Sequence, residues 1–409
     1  MSNPDQKTRT NHYVPIWYQN GFLANGRVKF HYLDMNPDVV RISPIQSYTH
    51  KNLLYWGPKK CFNKFDLYTT KFGSLISDVI EKRFFGKIDD RGKDAVSFFT
   101  EFAVKERLHE AYENLVVFMD AQRARTPRGI DLLKLRLRHD DHNYALYIMQ
   151  RVYKYHATMW SESVWEIVSS TESGVSFLLT DNPVSFYNAR LFPLAPEIKY
   201  PNDVGLNEVG TRTIFPLNAT ACLIITHLQF TRKSKVNPRK IRTNARAYQS
   251  TMFDLTGIQH GRQLSADEVL KINLILKRKA TRYIAAVDED TLYPERGVST
   301  DMWSKLDEDW FMLPNLYKIP FVSEIFAGFD NGSSWSMDEY GRKPRQKSND
   351  DEAKRSLEFA SKRDAQRAWA LKRNGRSKAM VYEMIGRENQ SADILMKQDL
   401  ARLNVDYKP

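Results

Sequence analysis

IFPLNATACLIIT, residues 214–226, is the stretch whose reading decides the fold. Its apolar residues follow one another in runs instead of recurring every three or four positions, so it reads as an apolar strand or a pair of strands. A second such run, Val175, Phe177, Leu178 and Leu179, lies upstream and stops at TDNP, residues 180–183, a turn signal. The two runs are expected to pair in a small central sheet.

Outward from that sheet, helical spacing dominates. Leu75, Ile76, Val79, Ile80 and Phe84 recur at helical intervals, with Glu81 beside the apolar face. Residues 94–123 continue the pattern and close on QRARTP, where Pro127 disfavours helix at the residue before it. Residues 141–168 read as one long helix, and HDDH at 139–142 supplies its cap. Segments 244–253 and 265–286 return to helix, the latter opened by Ser265 and Glu268 in capping-box spacing. GRVKFHYL, DMNPD and VVRI read as a hairpin near residues 27–42. The expected fold is α+β: a mostly helical single core domain over 1–290 with a small β-sheet. An aromatic-rich packed extension over 291–344 and a basic helical tail over 345–409 would follow.

Composition bounds the chemistry. The 409 residues include enough apolar material for a large core, and the two cysteines, Cys61 and Cys222, have no CxxC partner, which argues against structural zinc and for a reducing compartment. The leader MSNPDQKTRTN has no apolar h-region, and no window holds 18 apolar residues in a row, so a soluble cytoplasmic protein with no membrane partner is expected. The formal charge is +12. Residues 341–378 carry thirteen Lys and Arg against five Asp and Glu, so the body is close to neutral with local patches. One patch, at 232–246, has seven basic residues and no acidic one.

Four short stretches are over-specified for loops: NHYVP at 11–15, QRARTP at 122–127, TDNP at 180–183 and IFPL at 214–217. Taken together, in this order, they resemble a bacterial family known only as domain of unknown function 4238. Its members open with His-Tyr-Val-Pro, then carry a Glu-bearing helix, a Gln-x-x-Arg-Thr-Pro segment, a Ser/Thr-Asp-Asn-Pro turn and a Phe-Pro-Leu strand. The resemblance spans about His12 to Ser250. Trp17 and Tyr18 stand where members usually have Phe and Leu/Arg-rich positions. The family label implies a core and no settled reaction. Families of this type often occur as effectors in bacterial conflict or phage defence.

Each motif has a chemical and an architectural reading. His12 is suited to proton transfer or metal ligation, or to a bond with a carbonyl that fixes the N-terminal segment. Asp181 either points across a sheet end as a carboxylate or caps its own turn before Pro183. Gln122 and Arg125, at i and i+3, either meet a phosphate and a water or clamp a helix end. Glu81 and Asp181 with His12 form a hard ligand set for Mg²⁺ or Mn²⁺, although Glu81 could simply pair with Arg125. Arg232, Lys233, Lys235, Arg239, Lys240 and Arg242, with Lys362, Arg363 and Arg367 of the tail, are the candidate nucleic-acid contacts. Serine-hydrolase, P-loop, zinc-protease and dinucleotide signatures are absent. The leading expectation is a nucleic-acid-directed effector that acts as a metal-dependent nuclease; the alternative is a non-catalytic component with structural motifs and a tail that docks nucleic acid or a partner protein.

Overall fold

The structure is a computed structural model. It describes residues 9–298, apart from 42–46, 73–74, 103–107, 152–154, 162, 194, 228–229, 232–235 and 242–257, together with 325–328 and 334–337. The expected helices at 244–253 and 345–409 lie outside the described residues.

Two sheets organise the chain, which corrects the expectation of a mostly helical core around one small sheet. The larger has five strands in the order β11 (Ser185–Tyr187), β12 (Arg212–Pro216), β13 (Ala221–His227), β9 (Ser163–Ser169) and β14 (Gln259–Gln263). All neighbours are antiparallel except β14, which runs parallel to β9. The second has four antiparallel strands, β10 (Leu179–Thr180), β15 (Tyr283–Ala286), β2 (Phe30–Asp34) and β5 (Leu53–Trp56), and β5 is an edge. The two runs that were expected to pair with each other therefore belong to different sheets.

The correction has a physical source. Successive side chains of a strand point to opposite faces, and here both faces of the five-stranded sheet are covered. Trp165, Ile167, Phe215, Leu223 and Ile225 enter one apolar core. Val168, Ile214, Cys222 and Ile224 enter the other. A strand buried on both sides shows no alternation, so VWEIV within β9 reads as a continuation of a buried helix. The segment 141–168 is in fact α5 (His142–Arg151), α6 (Ala157–Ser161) and then β9.

Other expectations shift for similar reasons. The hairpin near 27–42 does not form: β2 pairs with β15 and β5, whereas β3 (Val39–Arg41) pairs with β4 (Ser47–Thr49). Phe30, Tyr32 and Leu33 are buried, which draws β2 into the middle of its sheet. Leu75 and Ile76 lie in β8 (Leu75–Ser77), and the helix starts later, with one π-helical stretch at Ile80–Phe85 that runs into α2 (Gly86–Thr100). The segment 94–123 divides between α2 and α3 (Leu108–Ala124). Gly92 lets these two helices approach closely, because a Cβ there would lie 2.5 Å from the Phe118 ring.

Local signals near helix ends are reproduced by the structure. Thr126 caps α4 (Pro127–Leu137) by accepting from the Gly129 amide, with Pro127 in the first turn. Asp141 accepts from the Tyr144 amide at the start of α5, so HDDH is a cap. Ser265 and Glu268 complete the capping box of α7 (Ala266–Lys279). That helix ends at Lys279, and the last residues of the expected 265–286 helix form β15 instead.

Candidate functional site

The N-terminal motif folds as a short strand, β1 (Thr10–His12), followed by the five-residue helix α1 (Ile16–Asn20). Strand β1 pairs with β6 (Asn63–Phe65). Tyr13, Val14 and Tyr18 are buried, and Tyr18 stacks on Phe215 with ring centroids 5.6 Å apart. Its hydroxyl donates to the Pro216 carbonyl, which joins the first motif to the fourth. Aromatic crowding at 13–18 is thus core packing.

His12 faces a backbone carbonyl. Its Nε2 donates to the Lys59 oxygen at 3.1 Å, so the neutral ring carries its proton on Nε2. Burial pushes the imidazole pKa down, against the pull of that carbonyl.

Gln122 and Arg125 form one buried unit. The Gln122 amide donates to the Tyr13 carbonyl at 2.7 Å, and its Oε1 accepts from Arg125 Nε at 2.8 Å and Nη2 at 2.5 Å. Arg125 Nη1 pairs with Asp89 at 2.8 Å, and the Tyr68 hydroxyl donates to the Arg125 carbonyl. Glu81, on the π-helical stretch, belongs to the same neighbourhood. Burial pushes its carboxyl up to about 7 against the pull of Arg125, and the Asp89 and Asp78 carboxylates add to the rise. Among the described residues its Oε2 has no hydrogen-bond partner.

Asp181 is elsewhere and fully engaged. Its Oδ1 accepts from the Thr281 amide at 2.8 Å, and its Oδ2 from the Arg282 and Tyr283 amides at 2.7 and 2.9 Å. Burial raises the carboxyl pKa, partly offset by those three donors. The side chain locks the turn between α7 and β15. Asp181→Ala would leave three buried amides without an acceptor and is expected to cost about 2 kcal/mol. An unchanged denaturant midpoint would remove Asp181 from the supports of the fold.

Among the described residues, no hydrogen bond or ion pair joins His12, Asp181 and the Gln122–Arg125 pair to one another. Glu81 and Asp181, the expected metal pair, have no common partner, and Asp181 does not fit a Mg²⁺ or Mn²⁺ ligand because backbone donors occupy both its oxygens. No group of three or more His, Cys, Asp or Glu is placed to hold a metal among the described residues. Arg123 and Arg128 turn to a different partner set. Arg123 pairs with Asp203 at 3.1 Å and covers the Phe186 ring. Arg128 donates to the carbonyls of Lys279, Ile198 and Asn202. Lys279 also pairs with Asp203.

Of the candidate nucleic-acid contacts, Arg239 and Lys240 are described and exposed; the other seven lie outside the described residues. Arg239 pairs with Glu208 at 2.8 Å and Glu197 at 3.5 Å, which offsets its charge.

A basic and aromatic groove of about 460 Å³ lies at the β5 edge and was not anticipated. Ile16, Asn20, Val28, Lys29, Tyr55, Trp56, Gly57 and the turn Pro58–Lys60 line it, with no acidic residue. Tyr55 is 44% and Trp56 36% exposed. The turn is the one His12 holds through Lys59. The available signal was YWGPKK, residues 55–60, two aromatics followed closely by two lysines. Its partner Lys29 is on the neighbouring strand's approach, which spacing alone does not reveal.

Compared with protein-family models, curated proteins and solved structures, the chain matches none. No helix of the described residues is long and apolar enough to cross a membrane.

Proposed function

We propose that the chain is a nucleic-acid-binding component whose four motifs build the fold. The observation that carries this reading is the engagement of the motif side chains. Gln122, Arg125 and Asp181 direct their polar atoms to one another, to Asp89 and to backbone. Three exposed lysines, Lys29, Lys59 and Lys60, line one groove, and Lys29 and Lys60 stand beside the exposed Tyr55 and Trp56 rings. Three lysines and no carboxylate line that groove, which supports phosphate contact over binding of a basic partner. The family resemblance gives the setting in which such a component would act, bacterial conflict or phage defence.

Binding of this kind releases counterions, so affinity falls steeply with salt. The full chain, titrated with a fluorescein-labelled oligonucleotide, is expected to lose about tenfold or more in affinity between about 50 and 200 mM salt. Absence of binding at the lower salt would overturn the reading.

A second reading, metal-dependent hydrolysis of the bound strand, has one observation in its favour. Glu81 lies by Asp89 and Arg125 with a carboxyl oxygen lacking a hydrogen-bond partner among the described residues. Cleavage in Mg²⁺ or Mn²⁺ that Glu81→Gln abolishes, with oligonucleotide affinity retained, would put this reading first.

A further inference from the structure

We propose that the groove at the β5 edge binds a single-stranded nucleic-acid segment, with a base stacked on Trp56 and phosphates on Lys29, Lys59 and Lys60. The inference rests on the nucleic-acid-binding reading and gives it a place and a strand preference.

Charge complementarity favours this occupant. Three lysines and no carboxylate line the groove, and none of the three is in an ion pair among the described residues. Two of the three also lie close to a ring: Lys29 Nζ is 5.8 Å from the Tyr55 centroid, and Lys60 Nζ is 6.0 Å from that of Trp56. Alternating cations and aromatic faces are what a flexible strand needs, because phosphates and bases alternate along it.

The rim is rigid. Trp56 stacks on Tyr32 with centroids 6.1 Å apart and planes 21° from parallel, and Tyr32 stacks in turn on Tyr283 at 5.2 Å and 14°. The indole therefore ends a column of three rings anchored in neighbouring strands. The opposite wall is fixed by three hydrogen bonds, two within the backbone and one from a side chain. Lys60 N donates to Gly57 O, Cys61 N donates to Pro58 O, and His12 holds the Lys59 carbonyl. Gly57 lies so close to the chain before β2 that a Cβ would sit 2.9 Å from Val28 O. A preformed wall lowers the ordering cost of binding.

The size and the exposed rings favour a single strand over a duplex. A space of about 460 Å³ admits one or two nucleotide units, and the faces of paired bases are hidden inside a double helix.

The test uses the full chain, a labelled twelve-nucleotide single strand and a duplex of the same length, with anisotropy read at fixed and varied salt. Trp56→Ala is expected to weaken single-strand binding about tenfold or more, with duplex binding changed less than about twofold, and Trp56→Phe to recover most of the loss. The triple variant Lys29→Ala, Lys59→Ala, Lys60→Ala is expected to reduce the salt slope by about 2 to 3. Thermal melting of each variant separates a lost site from a lost fold. If wild type binds the single strand and Trp56→Ala and the lysine variant bind it equally well, the groove is overturned and the wider reading stands. An equal loss on both strands overturns the strand preference. If wild type binds neither nucleic acid at low salt, the wider reading fails and this inference falls with it.

Discussion

Asp203→Asn is expected to destabilise the protein by about 3–5 kcal/mol, the cost of leaving buried cations without their counter-charge. The Asp203 and Lys279 side chains are each 3% exposed, and the Arg123 side chain 11%. Burial opposes ionisation of Asp203, but the charges of Lys279, Arg123 and Arg128 overcome it and hold the carboxyl well below the ordinary range. The same burial pushes the Lys279 and Arg123 pKa values down. Removing the anion therefore makes the remaining cations unfavourable. The contrast is the Lys82–Asp78 pair, whose lysine side chain is 46% exposed and whose loss should cost under about 1 kcal/mol. Urea midpoints of Asp203→Asn and Asp78→Asn give the comparison. Equal costs would show that the buried cluster relaxes without its anion.

Glu81→Gln is expected to stabilise the protein at alkaline pH and to leave it nearly unchanged at pH 4. The Glu81 carboxyl titrates at about 7 when folded, against 4.5 as its ordinary value. Below the ordinary value both states are protonated and the group contributes nothing. As pH rises toward the folded value, the unfolded chain ionises freely while the folded chain resists, so stability falls and the full penalty is present above about 7. The gap corresponds to about 3 kcal/mol. Denaturation of wild type and variant at pH 4 and pH 8 measures it directly. An advantage of the variant that is the same at both values would show that Glu81 does not titrate in this window.

Legibility followed the range of the interaction. The Ser265–Glu268 box and the Thr126 cap depend on neighbours three residues away, so spacing reveals them. The strand character of 214–226 was visible as an apolar run, although the run did not separate one strand from the two, β12 and β13, that pair there. β9 was hidden because its two faces serve two cores and leave no alternation. Arg125 illustrates the limit at the site. Its fork suits a phosphate as well as an amide and a carboxylate, and only the folded structure shows Gln122 and Asp89 filling it. The groove required Lys29 and YWGPKK to meet across a strand pair, which no single window contains.

The bond from the Tyr18 hydroxyl to Pro216 spans 198 residues, and the one from Gln122 to Tyr13 spans 109. During synthesis the aromatic opening thus emerges long before the strand that receives it. Until the fourth motif leaves the ribosome, Tyr18 lacks the Phe215 ring and the Pro216 carbonyl that complete its surroundings, and a chain with contacts of such long range folds late and slowly. The first motif to be made is therefore among the last to be satisfied. Nascent fragments ending before residue 215 leave uncovered the face of Tyr18 that Phe215 stacks on in the finished fold.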